Sequence, residues 1–230
     1  MNTTILTVPG YRGSDANHWQ TWLEQQFPES KRLTDVNWDS PRIYTWAEAL
    51  EKQLDSMPGQ AILVAHSFGC LVTALMASWR PEKIAGIILV APAAPQRFSL
   101  YGPIVQTQKN LQNISGCLPE HRLNTLGVLV ASKNDPWMST VQADQLSRDW
   151  GLALYNAGNA GHINSESGYG EWPLIKDFVT AMLDAVEPLP GDEVFQLGSW
   201  NSSRKRYSTR KPSIIDLAAP AQDNLFLQYA

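Results

Sequence analysis

The sequence predicts an α/β protein, a three-layer sandwich in which about six mostly parallel strands are covered by helices on both faces. Short apolar runs rich in Ile, Val and Leu alternate with helical patterns along the chain, the signature of strands joined by crossover helices. Several of those runs are almost continuously apolar, as strands covered on both faces are. With 230 residues, 43% hydrophobic and 17% charged, the chain is also long enough for a domain-sized core.

The expected strands are residues 4–8, 32–38, 61–66, 84–91, 127–132 and 153–155. A helix follows the first of them, starting at His18 in Asp15-Ala16-Asn17-His18-Trp19-Gln20. Thr45-Trp46-Ala47-Glu48 has capping-box spacing, and Trp46, Leu50, Leu54 and Met57 then recur on one helical face. The third strand passes through a tight turn at Ser67 into a helix carrying Ala74, Leu75 and Met76. Ser139 to Gln142 repeats the capping signal ahead of a helix reaching about Trp150. Pro173 sits in the first turn of the last helix, whose stripe of Leu174, Ile175, Phe178, Val179, Met182, Leu183 and Val186 ends before Pro188 and Pro190. Residues 1–188 are therefore read as one domain and 189–230 as a C-terminal extension. The extension carries Arg204, Lys205, Arg206, Arg210 and Lys211, but no interleaved aromatic platform of the kind that stacks bases.

Composition removes several classes of function. A net charge of −4 and a pI near 5.5 provide no general field for nucleic acid. Cys70 and Cys117 form no Cys-x-x-Cys pair, which argues against a disulfide framework or a cysteine-rich zinc site and for a reducing compartment. The apolar runs fall short of the roughly 20 residues a membrane-spanning helix needs, and the first residues lack a basic leader segment. The expectation is a cytoplasmic protein without a membrane partner. Four histidines with no HExxH spacing give no metal site.

One segment carries chemistry. In Val64-Ala65-His66-Ser67-Phe68-Gly69 a buried-type strand turns sharply into a helix, which would hold Ser67 at the C-terminal edge of the sheet with backbone N–H groups beside it. Ala65 stands where glycine is usual in such a turn, and a serine merely capping the helix is the competing reading. A serine hydroxyl needs a base and a carboxylate to become a nucleophile. Asp135 follows the strand at 127–132, and His162 lies in the glycine-rich stretch Asn156-Ala157-Gly158-Asn159-Ala160-Gly161-His162 after the next strand. Each falls at a strand's C-terminal end, in the chain order Ser67, Asp135, His162.

Two donors are expected for the oxyanion of an attacked carbonyl: the N–H of Phe68 and that of Tyr11, with Gly10 permitting close approach. Gly10, His18 and Trp137 are candidate substrate contacts. His66 is expected to pack, and His121 to be solvated. The longest connection, from Pro92 to Thr125, is expected to line a specificity pocket with Phe98, Leu100, Tyr101, Ile104 and Leu118.

These blocks resemble the small serine hydrolases similar to retinoblastoma-binding protein 9, of the α/β-hydrolase superfamily. The match rests on Val8-Pro9-Gly10-Tyr11 with Ser14 and His18-Trp19-Gln20, on the Ser67 turn, on Ala131-Ser132-Lys133-Asn134-Asp135-Pro136, and on Gly161-His162-Ile163-Asn164 followed by Ser167-Gly168-Tyr169-Gly170-Glu171-Trp172-Pro173. The resemblance implies a reduced α/β-hydrolase fold with little lid. It also implies Ser67 as nucleophile, Asp135 as acid and His162 as base, acting on an ester or amide without metal or organic cofactor. Neither cysteine sits in a Leu-x-Cys-x-Glu segment, so no retinoblastoma-type interaction is expected. The function this points to is hydrolysis of a small carboxylic ester through an acyl-enzyme. The alternatives are an amidase or aminopeptidase, and a non-catalytic interaction protein on the same scaffold. The oligomeric state is left open.

Overall fold

The computed structural model describes residues 3–105 and 111–186; the extension at 189–230 and its basic cluster lie outside these. Six strands pair in parallel: β1 (Thr3–Val8), β2 (Lys31–Arg32), β3 (Gln60–His66), β4 (Ile84–Val90), β7 (Leu126–Ala131) and β8 (Ala153–Asn156). Their order is β2-β1-β3-β4-β7-β8, and β5 (Phe98–Ser99) with β6 (Gly102–Pro103) makes a separate antiparallel pair. The strands are short and apolar because helices cover both faces. On one side, Leu6, Leu63, Leu89 and Leu129 pack with α2 (Ile43–Ser56), α3 (Phe68–Trp79) and α4 (Thr140–Trp150). On the other, Ile5, Ile62, Ile88 and Val130 meet α1 (Trp19–Gln26) and α5 (Pro173–Val186). The period of two along each strand thus feeds two apolar layers at once.

The second strand is shorter than the sequence suggests. Pairing stops at Arg32, Thr34 N–H turns to the Gln53 side chain, and Asp35 adopts φ of +60°. Leu33 and Val36 still reach the core, but from a loop; their alternation reflects burial rather than a ladder. The helix expected to be capped at Thr45 starts earlier. Its cap is Arg42, with no side-chain bond, and Thr45 lies within the helix. Fully buried Ile43 occupies the first helical position, and packing that side chain outweighs a capping hydroxyl worth about 1 kcal/mol. At α4 the expected capping box forms, with Ser139 and Gln142 bonding reciprocally and Gly151 closing the helix in the left-handed region.

The chain passes from β1 to β2 on one side and then to β3 on the other. From the C-terminal ends of β1 and β3 the chain continues to helices on opposite faces, α1 on one and α3 on the other, and a crevice opens at this switch point of the sheet. The turn after β3 and the loop after β1 meet there. Among the described residues no helix is long and apolar enough to cross a membrane.

Candidate active site

Ser67 sits at the crevice with φ 53° and ψ −121°, a conformation that L residues rarely adopt. The strain is held by neighbours that leave no room for another path. A Cβ on Gly69 would lie 2.3 Å from the Val8 carbonyl oxygen and 2.4 Å from that of Pro9, so α3 lies hard against the end of β1. The Ser67 N–H donates to Val90 O at 3.1 Å. Its side chain makes no capping bond to α3, which removes the reading of Ser67 as a helix cap. Ala65 is fully buried and accommodated in β3.

The hydroxyl turns instead to His162, whose Nε2 lies 2.9 Å from Ser67 Oγ. Nδ1 of the same ring is 2.9 Å and 3.0 Å from the two carboxylate oxygens of Asp135. A carboxylate only accepts, so Nδ1 carries the proton and Nε2 offers its lone pair to the serine O–H. The Asp135 side chain is 3% exposed and that of His162 8%, so water competes little for either bond. Asp135 also closes a turn before α4, accepting from Trp137 N–H at 2.8 Å. The three residues that the sequence placed at separate strand ends are thus joined in one chain of hydrogen bonds.

The loop bearing His162 is held by groups to which the sequence alone assigns no role. Asn134 Oδ1 accepts from Gly161 N–H and from the Ser132 hydroxyl, and Ser132 Oγ accepts from Ala160 N–H. Ser167 Oγ accepts from His162 N–H while its own hydroxyl donates to Asn164 Oδ1. Their signal lay in the blocks adjoining Asp135 and His162, where small polar residues flank each one. His66 packs as expected and also holds the His162 backbone, since its ring Nε2 is 2.9 Å from the His162 carbonyl. That oxygen only accepts, so Nε2 is protonated, and burial holds the ring's pKa well below the ordinary value.

Of the two expected donors, Phe68 is the first residue of α3, where the N–H has no intrahelical acceptor. In the loop after β1, Arg12 N–H donates to Trp38 O and Gly13 N–H to Gly10 O, bonds that leave out the Tyr11 N–H. Gly10 brings this loop against the serine; a Cβ there would stand 2.7 Å from Ser67 Cβ. Gly10 is not part of the cleft wall itself. The cleft encloses about 260 Å³ and is lined by Ser67 and His162, by Tyr11, His18, His66 and Trp137, and by the polar rim of Arg12, Asp15, Asn164, Ser165 and Glu166.

The expected specificity loop is a correction. Phe98 is fully buried between Phe68 and Trp137, Leu118 lines a different cavity beside α4, and Leu100 and Tyr101 are exposed; none of them, nor Ile104, lines the cleft. Loop length pointed to residues 92–125, whereas among the described residues the walls come from the loops after β1, β7 and β8 and from the turn at Ser67. His18 and Trp137 do line the cleft. Trp137 lies 5.7 Å from the His162 ring, with the Arg97 guanidinium 5.1 Å over its own ring. His18 caps α1 through Nδ1, which accepts from Gln20 N–H, and burial lowers its pKa to about 4. Among the described residues no group of three His, Cys, Asp or Glu is placed to hold a metal ion.

The family model described as serine hydrolase matches residues 5–181. A YdeN-like protein from Pectobacterium atrosepticum, solved by crystallography, is 32% identical, covers 81% of this chain and 94% of its own, and superposes with a TM-score of 0.72. YdeN of Bacillus subtilis (strain 168) is 26% identical over 189 residues, 79% of this chain and 96% of that protein. Est1E of Butyrivibrio proteoclasticus, solved with ferulic acid bound, shares the fold at 12% identity, with a TM-score of 0.60 over 80% of this chain and 90% of its own. The sheet and its helices are those of the α/β-hydrolase fold.

Proposed function

The chain belongs to the serine hydrolase family, and on that premise we propose that it hydrolyses a small carboxylic ester through an acyl-enzyme formed on Ser67. The observation that carries the proposal is the relay from Asp135 through His162 to a serine whose hydroxyl has no other partner among the described residues. His162 Nε2 takes the Ser67 proton as Oγ attacks the carbonyl carbon, and Asp135 keeps the imidazole in the required tautomer and stabilises its positive charge. The N–H groups of Phe68 and Tyr11 receive the oxyanion. His162 then protonates the leaving alcohol, and water repeats the cycle to release the acid.

Several features support this reading over a scaffold that only binds. Ser67 is held in a strained conformation, of a kind that costs of order 1–3 kcal/mol and persists mainly where function uses it. The cleft opens directly onto its hydroxyl. Ester is preferred to amide because, for one and the same triad, an alcohol leaves more readily than an amine. The cleft volume suits a small acyl group. The narrower kinship with hydrolases similar to retinoblastoma-binding protein 9 rests on the motif blocks and belongs to the same proposal.

Ser67→Ala tests the assignment, with p-nitrophenyl esters and aminoacyl anilides as substrates. Ester turnover is expected to fall by roughly 10⁶-fold if the relay is fully effective, with the thermal midpoint little changed. A fluorophosphonate should label Ser67 in the unaltered protein. An unlabelled Ser67 together with no turnover in the parent would show a binding scaffold instead, a variant as active as its parent would remove Ser67 as the nucleophile, and anilides cleaved faster than esters would make it an amidase.

A further inference from the structure

His18 combines two properties that conflict unless something else completes it. Its Nδ1 accepts the Gln20 N–H at 3.2 Å at the start of α1, so the ring proton must be on Nε2. That Nε2 is buried and has no hydrogen-bond partner among the described residues. The whole residue is only 3% exposed, yet it forms part of the wall of the cleft that holds Ser67 and His162. An unmatched buried donor costs about 1–3 kcal/mol, and simple helix capping does not require it. Asparagine would cap α1 as well without placing a second, buried ring donor in a residue that lines the cleft.

The neighbours fix where the donor acts. The His18 ring lies 4.8 Å from that of His66 in an edge arrangement, and the His66 ring lies 4.9 Å from that of His162. His18 thus stands beside His66, which in turn stands beside His162, and the oxyanion is already assigned to the N–H groups of Phe68 and Tyr11. Burial keeps the ring neutral, with a pKa of about 4, so it presents a fixed N–H rather than a charge. The rim adds the carboxylates of Asp15 and Glu166 against the single guanidinium of Arg12, a balance that disfavours an anionic group.

We propose that His18 is a specificity-determining residue whose Nε2–H donates to a neutral oxygen of the substrate, a carbonyl, ether or hydroxyl set apart from the scissile carbonyl. The inference rests on the acyl-transfer reading of the cleft and names its substrate class: esters that carry a second, uncharged oxygen acceptor. A site with a buried donor rejects the analogue that lacks the matching acceptor, because binding then leaves the donor unpaired.

The experiment uses the full chain and matched pairs of p-nitrophenyl and alkyl esters in which one methylene is replaced by oxygen at successive positions of the acyl or alcohol chain. The ratio of kcat/KM within each pair is compared between the parent and His18→Asn, so intrinsic ester reactivity cancels. Asn preserves an oxygen to cap α1 and removes the distal donor. At one oxygen position the parent's ratio is expected to exceed the variant's by on the order of 10- to 100-fold, with His18→Gln, whose amide nitrogen reaches further, recovering part of it. Equal ratios at every position would overturn the proposal. A second measurement needs no variant: ¹⁵N NMR of the intact protein should show His18 protonated at Nε2 and not at Nδ1, and the opposite tautomer would also overturn it. Ser67→Ala assayed on the same esters keeps the two readings apart. Undiminished turnover in that variant defeats the nucleophile assignment, while its loss together with equal ratios defeats only the His18 subsite.

Discussion

At the scale of single residues, the site depends on which nitrogen of one imidazole holds a proton. Asp135 sets this by accepting at Nδ1 with both oxygens. Asp135→Asn keeps the side-chain volume, and its remaining oxygen can still accept from Trp137 N–H, which Asp135 now bonds at 2.8 Å. The amide nitrogen, however, would donate to Nδ1 and drive the proton to Nε2, where it faces the serine and blocks general-base action. Ester kcat is expected to fall by about 10⁴-fold near neutral pH, the size such a tautomer error has in a Ser-His-Asp relay, with little change in unfolding temperature. A loss within tenfold would mean that the carboxylate contributes only packing. These residues were legible in the sequence because each falls where a strand ends, a constraint that composition and order reveal. The residues of the rim were not: Asp15, Ser165 and Glu166 are ordinary polar loop residues until the loops after β1 and β8 fold beside the serine.

At the scale of elements, local signals succeeded where the chain around them was polar and failed where burial intervened. Ser139 and Gln142 cap α4 reciprocally in an exposed stretch, so their side chains were free to follow local preference. Ser139→Ala should destabilise the protein by about 1 kcal/mol, which for a domain of this size lowers the thermal midpoint by roughly 2–4 °C. Calorimetry on the two proteins measures it, and an unchanged midpoint would show that the cap is replaced by water at no cost. Thr45 and Glu48 have the same spacing but stand beside Ile43 and Trp46, both fully buried. There the demand for apolar contact moved the helix start ahead of Thr45, to Ile43. The shortened β2 has the same origin, since Leu33 and Val36 pack from a loop whose positive-φ Asp35 no strand pattern signals.

For the whole molecule, the parallel sheet both makes the crevice and buries what stands next to it, and that burial ties stability to pH. His18 and His66 lie beside the crevice with little water, and both are held neutral by desolvation, His18 down to about 4 and His66 in the same direction. The groups around them act on the same balance, with Asp15 raising the His18 value and Arg32 and His162 lowering it. In the unfolded chain both histidines would titrate near the ordinary 6.5. Between that pH and about 4 the unfolded state binds more protons than the folded one, so stability falls as the solution is acidified. It is fully present above 6.5 and lost progressively below. The His18 share alone is about 3 kcal/mol. Arg80 holds Asp55 and Glu82 below the ordinary carboxylate range in the folded state, so their contribution is lost only at pH values below those of ordinary carboxylates, beneath most of this window. Urea unfolding at pH 7 and at pH 4.5 should therefore show a marked drop for the parent and a smaller one for His18→Asn, which has no ring to protonate. Equal drops in the two proteins would mean that acid acts elsewhere in the molecule and that the buried ring is hydrated well enough to titrate as in water.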